Sequence, residues 1–588
     1  MVLVKHSRLR VEPLEGRSLP SAAFVPEWND LLVDVQQRRA QGNQQAARAL
    51  AMMGAAVYDS VNAVDPTHTV YHVDAKAFPG VATASADAAA VQAAHDVAYA
   101  LYNRDTERPR IDDLLDTHLD ELVAGGVTGI AEGIALGHHV AAQVLAWRAS
   151  DGSNGSVPYT IGTQPGDWQP TPPAFNPNPS TPHWGSVTPF ALDEGSQFRA
   201  GPPPALTSPD YTEAFLEVKD LGRIDSTTRS PEQTEIALYW ATAGVGLWNE
   251  ITETVAAAHD LTLAENARLF AQVHVANADA FIASYDTKYT YNFWRPVTAI
   301  RAADTDGNPD TVPDSTWTPL IATPNHPSYG SNHSSQSRAA AEALAAFFGT
   351  DRVAFTATSA GIERSYTSFT EAAKEGGMSR VYAGIHWSFD CAVTEALGRK
   401  VGRYVADHYF RPVDGSGDLL QAAAAPLTPV HTALGADQVR PLLVEALTRW
   451  PAAGVDVSAL RGVEVRIADL SGLTLGVASG NTIWLDDDAA GWGWFVDQSP
   501  WDDSEFAAPG DQGEQDRMDL LTALEHELGH LLGRDHTAGG VMEEALAAGT
   551  RRTVTPVATH DVQVGGFMLF GADDDFGTGD VARIGKRK

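Results

Sequence analysis

Apolar residues recur at spacings of three and four through Ala46–Val61, Ala86–Tyr102 and Ile130–Arg148, and these Ala-rich stretches are predicted to be amphipathic helices. The pattern stops over residues 151–207. That segment is dense in Pro, Gly, Ser and Trp, as in GDWQPTPPAFNPNPSTPHWG, and so many prolines exclude regular helix. A long irregular stretch inside a compact domain is expected to cover a functional site. Helical patterning returns over Tyr211–Tyr285, Ser335–Phe348 and Ser379–Tyr409. Residues 25–412 are therefore expected to form one all-α helical bundle.

The pattern changes again behind it. Residues 413–436 have little apolar periodicity and read as a linker, across which the flanking modules are expected to fold separately. Residues 437–555 read as a small α+β domain. Gln438–Trp450 and Met518–Leu532 are predicted helices, and Val463–Ala468 and Thr482–Leu485 are predicted strands. Residues 556–588, with GADDDFGTGD and a final KRK, are expected to be a flexible tail.

Charge narrows the partners. The 588 residues include 75 acidic and 41 basic side chains, a formal net charge of −34. Such a field repels nucleic acid and anionic membrane, and no apolar run is long enough to span a bilayer. Any anion site must gather its own Lys and Arg. Cys391 is the one cysteine, so an intrachain disulfide and a thiolate-rich zinc site are both excluded. A metal would sit on His, Asp or Glu. Residues 1–24 begin MVLVKHSRLRVEPLEGRSLPSA and lack the apolar centre of an ordinary secretory signal. They resemble a short RLxVExLExR tract found on predicted exported bacterial proteins, which implies a secreted or cell-envelope location.

Two constellations carry chemistry. In the first, three blocks fall in order: Lys288-YTYNFW-Arg295-Pro296, then His326-Pro-Ser-Tyr-Gly330-Ser331-Asn332-His333, then Ser379-Arg380-VYAGI-His386-WSF-Asp390. They resemble the signature KxxxxxxRP, PSGH and SRxxxxxHxxxD shared by type 2 phosphatidic acid phosphatases and vanadium-dependent haloperoxidases. The gaps of 33 residues from Pro296 to Gly330 and 45 from His333 to Ser379 are of a size that this superfamily allows. YDSVNAV and PHWGSVTPF resemble its bacterial haloperoxidase branch.

The residue types suit an oxyanion. A bound vanadate, or a phosphoryl group in transfer, spreads negative charge over three equatorial oxygens that fixed cations stabilise. Lys288, Arg295 and Arg380 suit that shell, Ser331 adds a hydroxyl, and the helix expected to open near Asn332 and His333 adds backbone donors. The resemblance gives His386 the role of vanadium ligand or phosphorus nucleophile. Asp390, expected one turn later on the same helix face, would orient its ring. His333 is then the acid–base partner. His326 stands where the resemblance implies bromide rather than chloride oxidation. Two departures stand out: Gly330 replaces the signature's proline and is expected to loosen the loop, and Asn332 replaces its glycine. Asn tolerates positive φ and keeps its N–H, while its side chain narrows the space for an anion.

In the second constellation, His526-Glu527-Leu-Gly-His530-Leu-Leu-Gly533-Arg-Asp-His536 resembles the HExxHxxGxxH signature of metzincin metallopeptidases. His526 and His530 share a helix face, and Gly533 lets the chain turn so that His536 reaches the same zinc ion. Glu527 would be the general base, and Met542 resembles the Met-turn beneath the metal. DTDGNPD at 304–310 reads as an acidic turn.

Three functions follow. The first is a haloperoxidase using hydrogen peroxide, halide and vanadate, with an appended zinc peptidase-like domain acting on peptide. The second is an acid phosphatase forming a phospho-histidine on a phosphate ester. The third is an exported zinc protease or binding protein whose first site has decayed.

Overall fold

A computed structural model describes residues 23–554, apart from positions 105, 242–243, 260, 412–418, 427, 431, 458–459, 461, 469, 471–472, 480–481, 507–513, 535 and 538. The export-like tract over residues 1–24, save its last two positions, and the tail over 556–588 lie outside the described residues. The chain divides into two compact units.

The first unit comprises residues up to 410, apart from 67–69 and 348–350. Its helices are α1 (Phe24–Arg38), α2 (Asn43–Val64), α3 (Ala86–Tyr102), α4 (Arg108–Ala124), α5 (Ile130–Arg148), α6 (Pro209–Leu221), α7 (Pro231–Tyr239), α8 (Val245–Ala258), α9 (Leu263–Tyr291), α10 (Pro296–Arg301), α11 (Asn332–Phe348), α12 (Phe369–Tyr382) and α13 (Ser388–His408). Small side chains let the backbones approach closely, and α2 packs on both α3 and α9 while α3 packs on α5. The 29-residue α9 starts from a capping box, in which Thr262 and Glu265 bond each other's backbone N–H. It runs through the core with most of its residues buried and ends at Asn292 in the left-handed region, φ 52°.

The unit is not all-α as expected. An antiparallel hairpin, β1 (Phe355–Ser359) and β2 (Ile362–Tyr366), pairs Phe355 with Tyr366 and Ser359 with Ile362. FTATS alternates buried and exposed, which is the period of a strand. The expected continuous helix over Ser379–Tyr409 is also broken, between Tyr382 and Ser388.

Buried carboxylates pin irregular segments, that over 151–207 among them. Asp279 on α9 accepts the N–H groups of Phe190, Ala191 and Leu192 at 2.6–2.9 Å. Asp59, in the YDSVNAV stretch, accepts those of Tyr71, His72 and Val73 at 2.7–2.9 Å. The 304–310 turn is held the same way, with Asp306 accepting from Asn308 N–H and the Thr311 hydroxyl.

The second unit is a five-stranded sheet in the order β4-β6-β5-β3-β9. Its strands are β3 (Leu419–Ala422), β4 (Glu464–Ala468), β5 (Thr474–Ser479), β6 (Thr482–Asp486) and β9 (Ala545–Leu546), accompanied by a short parallel pair, β7 (Trp494–Phe495) with β8 (Met518–Asp519). Helices α14 (Ala436–Ala452) and α15 (Leu520–Leu531) pack on each other, and α15 packs on β3, β5 and β6. Leu420, Leu443, Trp450, Leu475, Ile483, Leu524 and Leu528 fill the core. The expected linker over 413–436 is corrected here. Leu419–Ala422 lies between β5 and β9 with Leu420 and Ala422 buried, and Leu434 joins the same core. Leu419-Leu420-Gln421-Ala422 does not alternate apolar and polar residues, so its pattern predicts no strand.

Candidate oxyanion and metal sites

The three blocks of the first constellation meet at the ends of α9, α11 and α13. Lys288 sits in the last turn of α9. Asn292 then turns the chain, and Arg295 caps α10 with Pro296 at the first helical position, where a fixed φ starts a helix and no N–H is wasted. The 326–331 loop feeds into α11. His386 lies in the five-residue break between α12 and α13.

His386 and Asp390 therefore do not share a helix face as expected. They still meet, because Asp390 occupies the first turn of α13 and reaches back over its start. Its Oδ2 accepts from His386 Nδ1 at 2.8 Å, from the Ser328 hydroxyl at 2.5 Å and from the Trp387 N–H at 3.3 Å. With Nδ1 donating, Nε2 carries the lone pair, and it accepts from Arg295 Nη1 at 3.0 Å. Burial first, then the charges of Arg295, Lys288 and Arg380, hold the imidazole well below its ordinary pKa. His386 is thus neutral, with its basic nitrogen turned toward the cations.

Those cations are deeply buried. Lys288 and Arg295 are 0% exposed and Arg380 is 3% exposed. Lys288 donates to the carbonyls of Pro327, Ser328 and Gly330, so it shapes the loop leading into α11. Arg295 donates to the carbonyls of His326 and Ile385 and, at 3.0 Å, to His326 Nδ1. Arg380 gives Nη1 to the Trp240 carbonyl at 2.9 Å, while its Nε has no hydrogen-bond partner among the described residues. Burial pushes Arg295 and Arg380 down to about 10, and Lys288 falls well below its usual value through burial and the charge of Arg295. Asp390 is the carboxylate that Lys288 and Arg295 share, pushed up to about 6 by burial.

Two buried basic groups share one carboxylate, and a third, Arg380, keeps a donor without a partner among the described residues, a set whose charge an anion would balance. Both oxyanions under consideration fit its chemistry, since Arg380 Nε and the start of α11 offer N–H donors.

The second block needs two corrections. Asn332 is not among the residues with positive φ; it opens α11 in ordinary backbone conformation. Its Oδ1 accepts from the Ser284 hydroxyl at 2.7 Å. Gly330 does not loosen the loop: a Cβ there would lie 2.3 Å from Thr394 Cγ2 and 3.1 Å from the Asp390 carbonyl, so the contact with α13 demands glycine. Ser331 is clamped to the same helix, its N–H 3.1 Å from Thr394 Oγ1 and its carbonyl accepting that hydroxyl at 2.9 Å. His333 lies in the first turn of α11 and is partly buried. His326 is buried beside Tyr285, their ring centroids 5.7 Å apart.

Ser284, Ser328 and Thr394 were missed by the sequence reading. Ser284 lies four residues before Lys288 and Thr394 four after Asp390, a spacing that places each on the same helix face as its partner.

The second unit brings His526, His530 and His536 together. His526 Nε2 lies 2.8 Å from His530 Nε2 and 3.0 Å from His536 Nε2. The outer nitrogens donate to backbone: His526 Nδ1 to the Val541 carbonyl at 2.8 Å and His530 Nδ1 to the Arg534 carbonyl at 2.9 Å. Both tautomers are thereby set, and the two Nε2 lone pairs point at each other. Burial pushes His526 down to about 3, and the ring nitrogens of the three histidines lie close enough together to be offered to one cation. Gly533, at φ 72°, makes the turn after α15 that returns His536 to the cluster. Met542 is buried against α15 at Gly529, where a Cβ would lie 2.3 Å from its sulfur. Glu527 faces the sheet, with Oε1 accepting from the Leu420 N–H at 3.3 Å.

The first unit is a mostly helical bundle in which buried basic side chains gather around His386, and the comparisons say which proteins it is similar to. Residues 268–415 match the VCPO second helical-bundle domain. The vanadium chloroperoxidase of Curvularia inaequalis is 27% identical over 288 residues, 37% of this chain and 47% of that protein, so the chain spans about half the length of the curated relative it matches. A bacterial vanadium-dependent iodoperoxidase crystal structure superposes with a TM-score of 0.58 at 27% identity, covering 67% of this chain and 98% of that one. The helical unit is thus similar in sequence and fold to vanadium haloperoxidases.

Proposed function

We propose that the first unit oxidises halide with hydrogen peroxide at a vanadate held by His386. The carrying observation is the imidazole whose Nε2 faces the Arg295 guanidinium while Asp390 holds its Nδ1, with the charges of Lys288 and Arg380 bearing on the same ring. Similarity to a chloroperoxidase and an iodoperoxidase supports this reading over phosphate-ester cleavage, for which the same residues would serve. When bound, vanadate supplies the Lewis-acidic centre at which peroxide is activated. Arg380, Arg295 and the start of α11 would hold its oxygens, Asp390 keeps the His386 tautomer, and His333 would move protons at the open side. His326 favours bromide or iodide as the halide.

The test is purified protein loaded with vanadate and assayed for peroxide-dependent bromide and iodide oxidation, with phosphate as competitor. Oxidation suppressed by phosphate and lost in His386→Ala supports the proposal. Hydrolysis of phosphate monoesters without vanadate, and no halide oxidation with it, replaces it by the phosphatase reading.

In the second unit, His526, His530 and His536 are proposed to ligate zinc, supported by the facing Nε2 atoms and carbonyl-bound Nδ1 atoms. Zinc would supply Lewis acidity toward a peptide carbonyl, and Glu527 would act as base only if its carboxylate leaves the Leu420 N–H.

A further inference from the structure

We propose that the first unit carries a second anion site, at the start of α2, which takes a small organic anion with two or more negative charges, a phosphate ester or a polycarboxylate. None of the residues of the three blocks belongs to it.

A cavity of about 420 Å³ is framed by the turn between α1 and α2, the end of α3 and the irregular segment near Ser153 and Trp184. That volume lies in the range of small-ligand sites and is many times the roughly 30 Å³ share of one water molecule, so it has room for more than a bare ion. Arg39, Arg48 and Arg104 line it, and none of its described lining residues is acidic. In a chain of net charge −34, three guanidinium groups around one cavity run against the general field.

Their charge is not cancelled within the described residues. Arg48 Nε lies 2.7 Å from Asp151 Oδ2, but Arg148 Nη2 holds the same oxygen at 2.8 Å, so two cations share one carboxylate. The Arg39 guanidinium stands over the Tyr102 ring, 5.3 Å from its centroid, which positions the group without neutralising it. Arg39 and Arg104 form no ion pair among the described residues. Two uncompensated guanidinium groups, with a third only half compensated, call for a ligand of at least two charges. Their forked N–H groups match the oxygens of carboxylate and phosphate alike.

Two further donors stand at the cavity. The 22-residue α2 starts at Gly42 with no side-chain cap, so its first N–H groups are left for a ligand at the positive end of the helix. Trp184 forms part of the wall and is 1% exposed, and its indole Nε1 has no acceptor among the described residues. A buried indole N–H ordinarily finds a partner, and an anion in this cavity would provide one.

Isothermal titration of the full chain with pyrophosphate and, separately, with citrate, at low salt and without vanadate, tests this. Wild type is expected to bind at least one of the two, and which one binds assigns the phosphate or the carboxylate class. Arg39→Met and Arg104→Met are each expected to weaken that binding about 10-fold, the loss of one hydrogen bond to a charged group, while Arg380→Met leaves it unchanged. Arg104 is exposed, so its variant keeps the test decisive even if Arg39→Met fails to fold. Trp184→Phe is expected to bind about 3-fold more weakly yet melt no lower than wild type, because it removes a donor that has no partner in the ligand-free protein. Binding of neither probe by wild type overturns the proposal, as does unchanged binding by Arg104→Met. A loss in Arg380→Met with none in Arg104→Met also overturns it, because the probe then sits in the first oxyanion site.

Discussion

Replacing Arg380 by methionine separates a binding cation from a structural one, because the two roles predict opposite signs. Methionine keeps most of the side-chain volume and removes the charge. Burial lowers the Arg380 pKa from 12.5 to about 10, a difference of about 2.5 units that corresponds to roughly 3 kcal/mol of disfavour for the buried charge. Against that stands one hydrogen bond, Nη1 to the Trp240 carbonyl, whose loss costs about 1–3 kcal/mol with the carbonyl left unpaired. Without ligand, the variant should therefore melt no lower than wild type. The Nε donor has no partner among the described residues, so its contribution appears only when an anion arrives. Losing one charge-assisted hydrogen bond costs about 1.5–3 kcal/mol, which is roughly a 10- to 150-fold rise in the vanadate Kd. Calorimetry of the ligand-free protein and equilibrium dialysis with vanadate give the two numbers. A variant that melts several degrees lower while holding vanadate as tightly as wild type would refute the reasoning and make Arg380 a structural residue.

Further predictions test other parts of the molecule. His530→Ala should abolish stoichiometric zinc while Glu527→Ala retains it; elemental analysis showing zinc unchanged in His530→Ala would remove the metal assignment. Gly330→Ala should lower the melting temperature and weaken vanadate binding, because its Cβ would lie 2.3 Å from Thr394 Cγ2, an overpacking of about 1–3 kcal/mol. Adding Thr394→Ser, which deletes that methyl, should restore both. His274 is fully buried, and its pKa is lowered from 6.5 to about 3 by burial. Below pH 6.5 the unfolded chain takes a proton that the folded state refuses, so its contribution is full above pH 6.5 and falls by roughly 1.4 kcal/mol per unit toward pH 3. Asp59 and Asp279, raised to about 6, act in the opposite direction, so the test compares His274→Gln with wild type rather than reading one curve. Chemical denaturation at pH 7 and pH 4.5 should show the variant losing about 2–3 kcal/mol less; equal losses would mean that the imidazole protonates in the folded state.

The sequence by itself determined some helices of the first unit, since Ala86–Tyr102 and Ile130–Arg148 are helices at the predicted bounds, whereas the pattern over Tyr211–Tyr285 did not mark the breaks between α6, α7, α8 and α9. Helical periodicity over many residues is a strong local signal, and capping by Ser85 or Thr262 is written in the chain. The ordered blocks with Lys288, Arg295, Arg380 and His386, and the spacing of His526, His530 and His536, were legible because such chemistry needs fixed residue types at fixed offsets. Tertiary structure decided the rest. The strand at Leu419–Ala422 is fixed by pairing with β5 and β9, since its residues do not alternate apolar and polar. The glycine demanded at 330 by Thr394 and the hydrogen bond between Ser284 and Asn332 are contacts between distant segments. Local sequence pattern carries no information about which side chain will stand opposite, and at this site the opposing side chain sets tautomer, charge and the direction in which a donor points.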